Sequence, residues 1–287
     1  MRIALATAIE SFALDDDLAL LQRALQQRGH RADAVAWDDP TVSWARFDAV
    51  LLRSTWNYTL KPREFLAWCA LVEQHCRLAN PLELVRWNLD KRYLRELSEA
   101  GVPSIPACYL APGDAPDGFP AHAEFVVKPC IGAGSRDAQR YAQADRPQAV
   151  AHAARLLDAG RHALVQPYLA AVDEAGETAL VFFNGLFSHA VRKGPLLTRD
   201  GAAISSLFAP ETITAREPSA AEFDVAHRAL EAIPGGVPLY ARIDLLPSDD
   251  GPRLLELELA EPSLFFRTAP GAADRFAAAI EQRLQPA

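Results

Sequence analysis

Apolar runs alternate with amphipathic stretches along the first eighty residues. MRIALAT is an apolar run of strand length. DDDLALLQRALQQRG follows with apolar residues at helical spacing, acidic residues at its start and Gly29 at its end, the arrangement that capping and the helix dipole favour. RADAVAW and FDAVLLRS read as further strands, and Pro62 opens a second helix, PREFLAWCALVEQHC, because proline suits a first helical turn. Strands alternating with helices predict a parallel sheet covered by helices. LDKRYLRELSEAG is another amphipathic helix, closed by Gly101 and Pro103. Prolines and glycines then crowd PSIPACYLAPGDAPDGFPAH, which predicts a domain boundary in or near that segment.

A compact unit comes next: strand EFVVKP, loop CIGAGSRD, a helix over 147–158 and strand HALVQPYL. ETALVFFNG and LFSHAVRK form a strand pair around Asn184-Gly185, a dipeptide suited to hairpin turns. A lid-like loop, GPLLTRDGAAIS, a helix over 220–232, two more strands and a final helix over 272–284 complete the chain. The pattern is α/β, in part α+β, without internal repeats.

Composition narrows the class. The chain has 287 residues, 50% hydrophobic and 23% charged, as ordinary globular proteins do. A net charge of −8 argues against nucleic acid as a main partner. No apolar run is long enough to span a membrane. The first residues soon reach Glu10 and Asp15–Asp17, unlike a secretory signal. The four cysteines, Cys69, Cys76, Cys108 and Cys130, form no C-x-x-C pair. They read as thiols of a cytoplasmic protein rather than zinc ligands, with Cys69 and Cys76 on one helix face.

The clearest chemistry lies in PLYARIDLLPSDDGPRLLELELAEPS. Side chains two apart on a strand share a face, so Arg242 goes with Asp244, and Glu256 with Glu258. Ile243, Leu245, Leu255 and Leu257 fall on the opposite, apolar face. A hairpin symmetric about Asp250 sets Asp244 across from Glu256 and Arg242 across from Glu258. Crowded carboxylates repel unless a cation joins them, and oxygen ligands suit Mg²⁺. The pattern alone fits a solvated, mixed-charge strand face equally well.

No P-loop and no G-x-G-x-x-G is present. VVKPCIGAGS instead sets Lys128 at a strand end before Gly132, Gly134 and Ser135; glycines let backbone N–H groups approach a phosphate, though a plain turn with an exposed lysine has the same pattern. Lys91, in WNLDKRYL, is either an anion ligand or solvated. Arg192 and Lys193 end a strand and could meet a transferring phosphoryl group.

In order, WNLDKRYLRELSEAGVP, VVKPCIGAGS, VQPYL, VRKGP, YARIDLL and LLELELAEPS resemble the ATP-grasp superfamily. The chain looks closest to glutathione synthetase-like and ribosomal-protein glutamate ligase-like members. RSTWNY, SHAVRKGP and ELELAEPSLFF are also similar to the O-ureido-serine cyclo-ligases of cycloserine biosynthesis. The resemblance implies an N-terminal α/β domain over 1–88, a linker helix and ATP-binding lid over 89–170, and a C-terminal antiparallel-sheet domain over 171–287. ATP would lie between two antiparallel sheets. Lys91 and Lys128 match its phosphate lysines, and Gly132, Ala133, Gly134 and Ser135 the mobile phosphate loop. Gln166, Tyr168 and Leu169 match the adenine hinge. Glu177, or failing it Asp173 or Glu174, matches the ribose partner. Asp244, Glu256 and Glu258 match the metal ligands, with Glu258 where many relatives have Asn. The resemblance further implies two Mg²⁺ ions, replaceable by Mn²⁺, and small-molecule carboxylate and amine substrates. The chain is expected to be a monomer or homodimer that binds neither nucleic acid nor membrane.

The implied reaction activates a carboxylate as an acyl phosphate and hands it to an amine, with Arg242, Arg192 and Lys193 as candidate catalytic residues. RSTWNY follows a strand, where open α/β sheets place ligands. Arg53 could clamp a carboxylate there, Trp56, Asn57 and Tyr58 could form a wall, and Ser263 could touch an amino acid; the same aromatics could equally cap the core. Two other classes share the scaffold: a small-molecule phosphotransferase and a non-catalytic ATP-binding regulator.

Overall fold

The computed structural model describes residues 1–197 and 212–285. The N-terminal part runs β1 (Arg2–Thr7), α1 (Leu18–Gln27), β2 (Arg31–Ala36), β3 (Ala49–Leu52), α2 (Pro62–Glu73) and β4 (Arg77–Ala79). These strands form one sheet, β2-β1-β3-β4, parallel throughout, as the alternation predicts. The short β4 escapes the sequence reading. Helix α2 ends before Cys76, so Cys69 and Cys76 do not share a helix; both pack into the same core beneath the sheet.

Helices α3 (Leu82–Asn88) and α4 (Tyr93–Glu99) follow. The sequence shows one helix from Leu89, whereas the structure has two, and Lys91 lies in the turn between them. The Pro-rich segment after α4 contains β5 (Cys108–Leu110), which belongs to the next sheet. That sheet adds β6 (Glu124–Pro129), β7 (Gln139–Ala142) and β8 (Ala163–Pro167), covered by α5 (Arg146–Asp158). Its order is β5-β8-β6-β7, all antiparallel.

The remainder holds α6 (Val172–Ala175), β9 (Glu177–Phe183), β10 (Leu186–Lys193), β11 (Ile213–Arg216), α7 (Ala220–Glu231), β12 (Tyr240–Leu246), β13 (Arg253–Glu258) and α8 (Ala272–Leu284). Its sheet is also antiparallel, in the order β11-β10-β9-β12-β13. The β9–β10 turn falls on Asn184 and Gly185, both at positive φ, 48° and 77°, as this tight hairpin turn requires. The lid-like loop expected over 194–206 lies largely outside the described residues.

Buried polar side chains fasten the parallel sheet to the large antiparallel one. Asn80, just past β4, donates to the carbonyls of Tyr240 (2.9 Å) and Leu259 (2.8 Å) and accepts from the Leu239 N–H (2.7 Å). The Tyr240 hydroxyl donates to the Ala260 carbonyl at 2.7 Å. Asp17 precedes α1 but does not cap it. Its carboxylate accepts the N–H groups of Leu264, Phe265 and Phe266 at 2.6–3.0 Å, tying the segment after β13 to the N-terminal sheet. Asn80→Ala would leave three buried backbone groups unpaired. It is expected to lower unfolding free energy by about 2–4 kcal/mol, read as a lower urea midpoint at unchanged m-value.

Candidate active site

A cleft opens between the two antiparallel sheets and continues to the turn after β3. Its floor is the β12–β13 pair. Arg242 stands opposite Glu258 and Asp244 opposite Glu256, the register expected from symmetry about Asp250. A bulge then shifts the pairing so that Leu245 faces Leu254. The sequence pattern put Leu255 on the buried apolar face. The bulge instead buries Leu254 and turns Leu255 into the cleft, as extra residues in a ladder re-aim their neighbours.

Opposite charges interlock on this floor. The Arg242 guanidinium donates to Asp244 (2.7 and 2.9 Å) and to Glu258 (2.6 Å). Lys193, from β10, meets Glu177 at 2.5 Å and Asp244 at 3.4 Å. Burial by itself would raise the Asp244 carboxyl, but Arg242 and Lys193 hold it well below the usual carboxylate range. Burial pushes Glu258 up to about 8, against the pull of Arg242 and with the push of Glu256. Glu177 also rises to about 8, through burial and despite Lys193. The floor therefore holds more carboxyl groups (Glu177, Asp244, Glu256 and Glu258) than it has cations of its own (Lys193 and Arg242).

The opposite wall supplies positive groups. Lys91 donates to the Gly132 carbonyl at 2.7 Å and pairs with Glu256 at 2.8 Å. Burial opposes its charge, and Glu256 outweighs that to raise its pKa. Lys128, on β6, is lowered to about 8 by burial, with the neighbouring Lys91 charge adding to the effect. Gly132, Ala133, Gly134 and Ser135 cover the same space. Gly134 and Ser135 sit at φ 59° and 57°, a left-handed pair that aims successive N–H groups in one direction. At the far end lie Gln166, Tyr168 and Leu169, with Leu246, Leu255 and Ile105. The Gln166 amide nitrogen is buried without a partner among the described residues, a donor suited to a heterocycle.

Some expected site residues face elsewhere. Neighbours on a strand point to opposite faces, so Lys193 enters the cleft and Arg192 does not. Arg192 donates to the carbonyls of Glu174 and Ala175. Asn57 accepts from Trp37 and donates to Asp38, away from the cleft. Arg53 is 1% exposed, donates to the Pro262 carbonyl at 2.7 Å and so braces the segment after β13; it does not line the cleft. Asp173 bonds Arg140 and Tyr168. Trp56, Tyr58 and Ser263 do line the cleft. Asp244 lies beneath Arg242 and Lys193, outside its lining. Among the described residues no ready-made cage of three or more His, Cys, Asp or Glu side chains occurs. The donor chemistry still fits a hard cation, since Glu256 and Glu258 share a cleft-facing strand face, and Mg²⁺ needs only one or two carboxylates beside phosphate oxygens. Sequence reasoning missed Glu261, Phe265, Ile105 and Leu246 in the lining. Glu261, three residues past Glu258 in the same acidic run, was the findable one.

These sheets and this cleft have the arrangement of the ATP-grasp fold. D-alanine–D-alanine ligase from Bacillus anthracis superposes at TM-score 0.69 over 99% of this chain and 96% of its own, at 13% identity, a likeness of fold alone. Residues 3–80 match the family described as D-cycloserine synthetase DcsG, N-terminal domain. The cycloserine biosynthesis protein DcsG of Streptomyces lavendulae is 42% identical over 301 residues, covering 99% of each chain. The crystal structure of D-cycloserine synthetase DcsG superposes at TM-score 0.92 with 40% identity, over 99% of this chain and 100% of that one. The chain belongs to the DcsG family.

Lys128 at about 8 is charged at neutral pH and loses its proton as pH rises through that value. ATP affinity is therefore expected to fall above about pH 8. Lys128→Met should bind a fluorescent ATP analogue at least about tenfold more weakly at pH 7 and show a flatter decline with pH.

Proposed function

We propose that the protein activates a substrate carboxylate with ATP as an acyl phosphate and closes it onto an amine of the same molecule, forming cycloserine from O-ureido-serine. The supporting observation is the Arg242 guanidinium, held between Asp244 and Glu258 on a cleft floor that faces two lysines and a glycine loop. The relatives' names supply the product.

The adenine end would lie among Gln166, Tyr168, Leu169 and Leu255, and the phosphates under Gly132–Ser135 beside Lys91 and Lys128. Glu177 then has two roles open to it. It can take the ribose, or it can stay with Lys193, as its 2.5 Å contact shows. Glu256 and Glu258 would hold Mg²⁺, proposed as two ions that Mn²⁺ can replace, with Asp244 joining once Arg242 or Lys193 turns away. Bound there, Mg²⁺ would neutralise charge on the β- and γ-phosphates as the γ-phosphoryl group leaves.

The chain's own residues then order two steps. Arg242 and Lys193 orient the carboxylate, whose oxygen attacks the γ-phosphorus while the bond to ADP breaks. In the second step the ureido nitrogen bonded to oxygen attacks the acyl carbon, the bond to phosphate breaks, and that nitrogen gives up its proton. Arg242 stabilises the oxyanion formed between those events. Water then cleaves the carbamoyl group from the ring nitrogen; it leaves as carbamate, which breaks down to carbon dioxide and ammonia. Closure of the glycine loop keeps water from the acyl phosphate.

Incubation with ATP, Mg²⁺, O-ureido-serine and hydroxylamine is expected to yield ADP together with a trapped hydroxamate. ADP release without hydroxamate would point to a phosphotransferase on the same scaffold. Glu256→Gln should raise the half-saturating Mg²⁺ concentration about 10–100-fold, while Asn57→Ala leaves it unchanged.

A further inference from the structure

Once ligands are assigned to the phosphates, the metal and the reacting carboxyl, one cleft carboxylate has no task. Glu261 is 8% exposed and lines the cleft, yet it forms no ion pair with Lys or Arg among the described residues. Two aromatic side chains flank it. The Trp56 indole N–H donates to the Glu261 backbone carbonyl at 3.2 Å, and the Tyr58 phenol lies near its carboxylate. Both rings sit in the turn after β3, more than nine-tenths buried, with surface in the cleft. A buried carboxylate with aromatic side chains nearby is a composition that suits a desolvated ammonium ion, by charge and by the negative faces of the rings.

Resting on the ring-closing ligase reading above, the geometry points to Glu261, with Trp56 and Tyr58, as the subsite that binds the α-ammonium group of an amino-acid substrate. Glu261 shares the cleft with Arg242, so a group bound at Glu261 and a carboxyl oriented by Arg242 would lie in one cavity. Burial raises Glu261 to about 7, so without a cation this carboxylate is on the edge of protonation, and an arriving ammonium would hold it ionised. The contact has a chemical consequence. An amine kept protonated on Glu261 has no lone pair to attack an acyl phosphate. Ring closure through the other nitrogen is then favoured, and coupling of two substrate molecules through the α-amine is suppressed.

The test uses the full chain with ATP and Mg²⁺ and compares O-ureido-serine with its counterpart bearing hydrogen in place of the α-amino group. The native enzyme is expected to favour the amino acid by about 100-fold in kcat/KM. Glu261→Gln should shrink that preference to within about threefold by slowing the amino acid alone, with the counterpart's kcat/KM and the KM for ATP unchanged. Tyr58→Phe, which keeps the carboxylate, should retain most of the preference. The inference is overturned if the native enzyme treats both compounds alike, if Glu261→Gln slows both equally, or if it shifts only the Mg²⁺ requirement. Should the native enzyme ignore O-ureido-serine but trap a hydroxamate from another amino acid, the ring-closure reading fails by itself. The same comparison on that amino acid and its deamino counterpart then decides the role of Glu261. Calorimetric binding of each pair to the native protein measures the same preference without relying on the variant's folding, and equal affinities there would overturn the inference too.

Discussion

A buried carboxylate, Asp244, and a half-buried one, Glu258, share the guanidinium of Arg242. A charge taken out of water must be paired or be neutralised, and this pairing sets the order of everything around it. Asp244, held on one side by Arg242, is held on the other by Lys193, which in turn takes Glu177. Glu256, across the ladder, takes Lys91, and Lys91 reaches the carbonyl of Gly132. Charges of alternating sign thus run from the large sheet to the glycine loop of the smaller one. Burial raises Glu177, Glu258 and Glu261, and a cation bound beside them would favour their ionised forms.

Much of this was legible in the sequence because strand parity is strict. Arg242, Asp244, Glu256 and Glu258 fall into register once the turn at Pro247–Pro252 is recognised, and the pairing follows it. The α8 boundaries and the Asn184-Gly185 turn were readable for similar reasons of period and turn chemistry. Parity fails where a ladder is irregular. One extra residue between Glu256 and the turn exchanges the roles of Leu254 and Leu255, and no composition cue announces it. Parity also separates Arg192 from Lys193, a distinction that reading RK as one basic patch overlooked.

Other residues take partners that lie far away in the chain. Arg53 serves the Pro262 carbonyl and Asn57 serves Trp37 and Asp38. Asp17 has the position and chemistry of a helix cap, yet three N–H groups from beyond β13 compete for it and win. Three hydrogen bonds to one buried carboxylate outweigh the single one that a cap offers. Nothing local in the sequence signals such contacts.

These long-range fastenings also explain how substrate recognition can be separated from chemistry. The two antiparallel sheets that flank the cleft are shared in fold with a ligase only 13% identical, whereas the DcsG N-terminal match covers residues 3–80, the stretch that carries Trp56 and Tyr58. Their turn is set against the acidic floor by Asn80, Arg53 and Asp17, each of which grips the segment around β12 and β13 from the N-terminal sheet. Because the grip is buried and made to backbone atoms, side chains on the turn can change without moving the floor. Under the proposed function, one loop of this fold would set which amino acid is taken, with Glu261 opposite it.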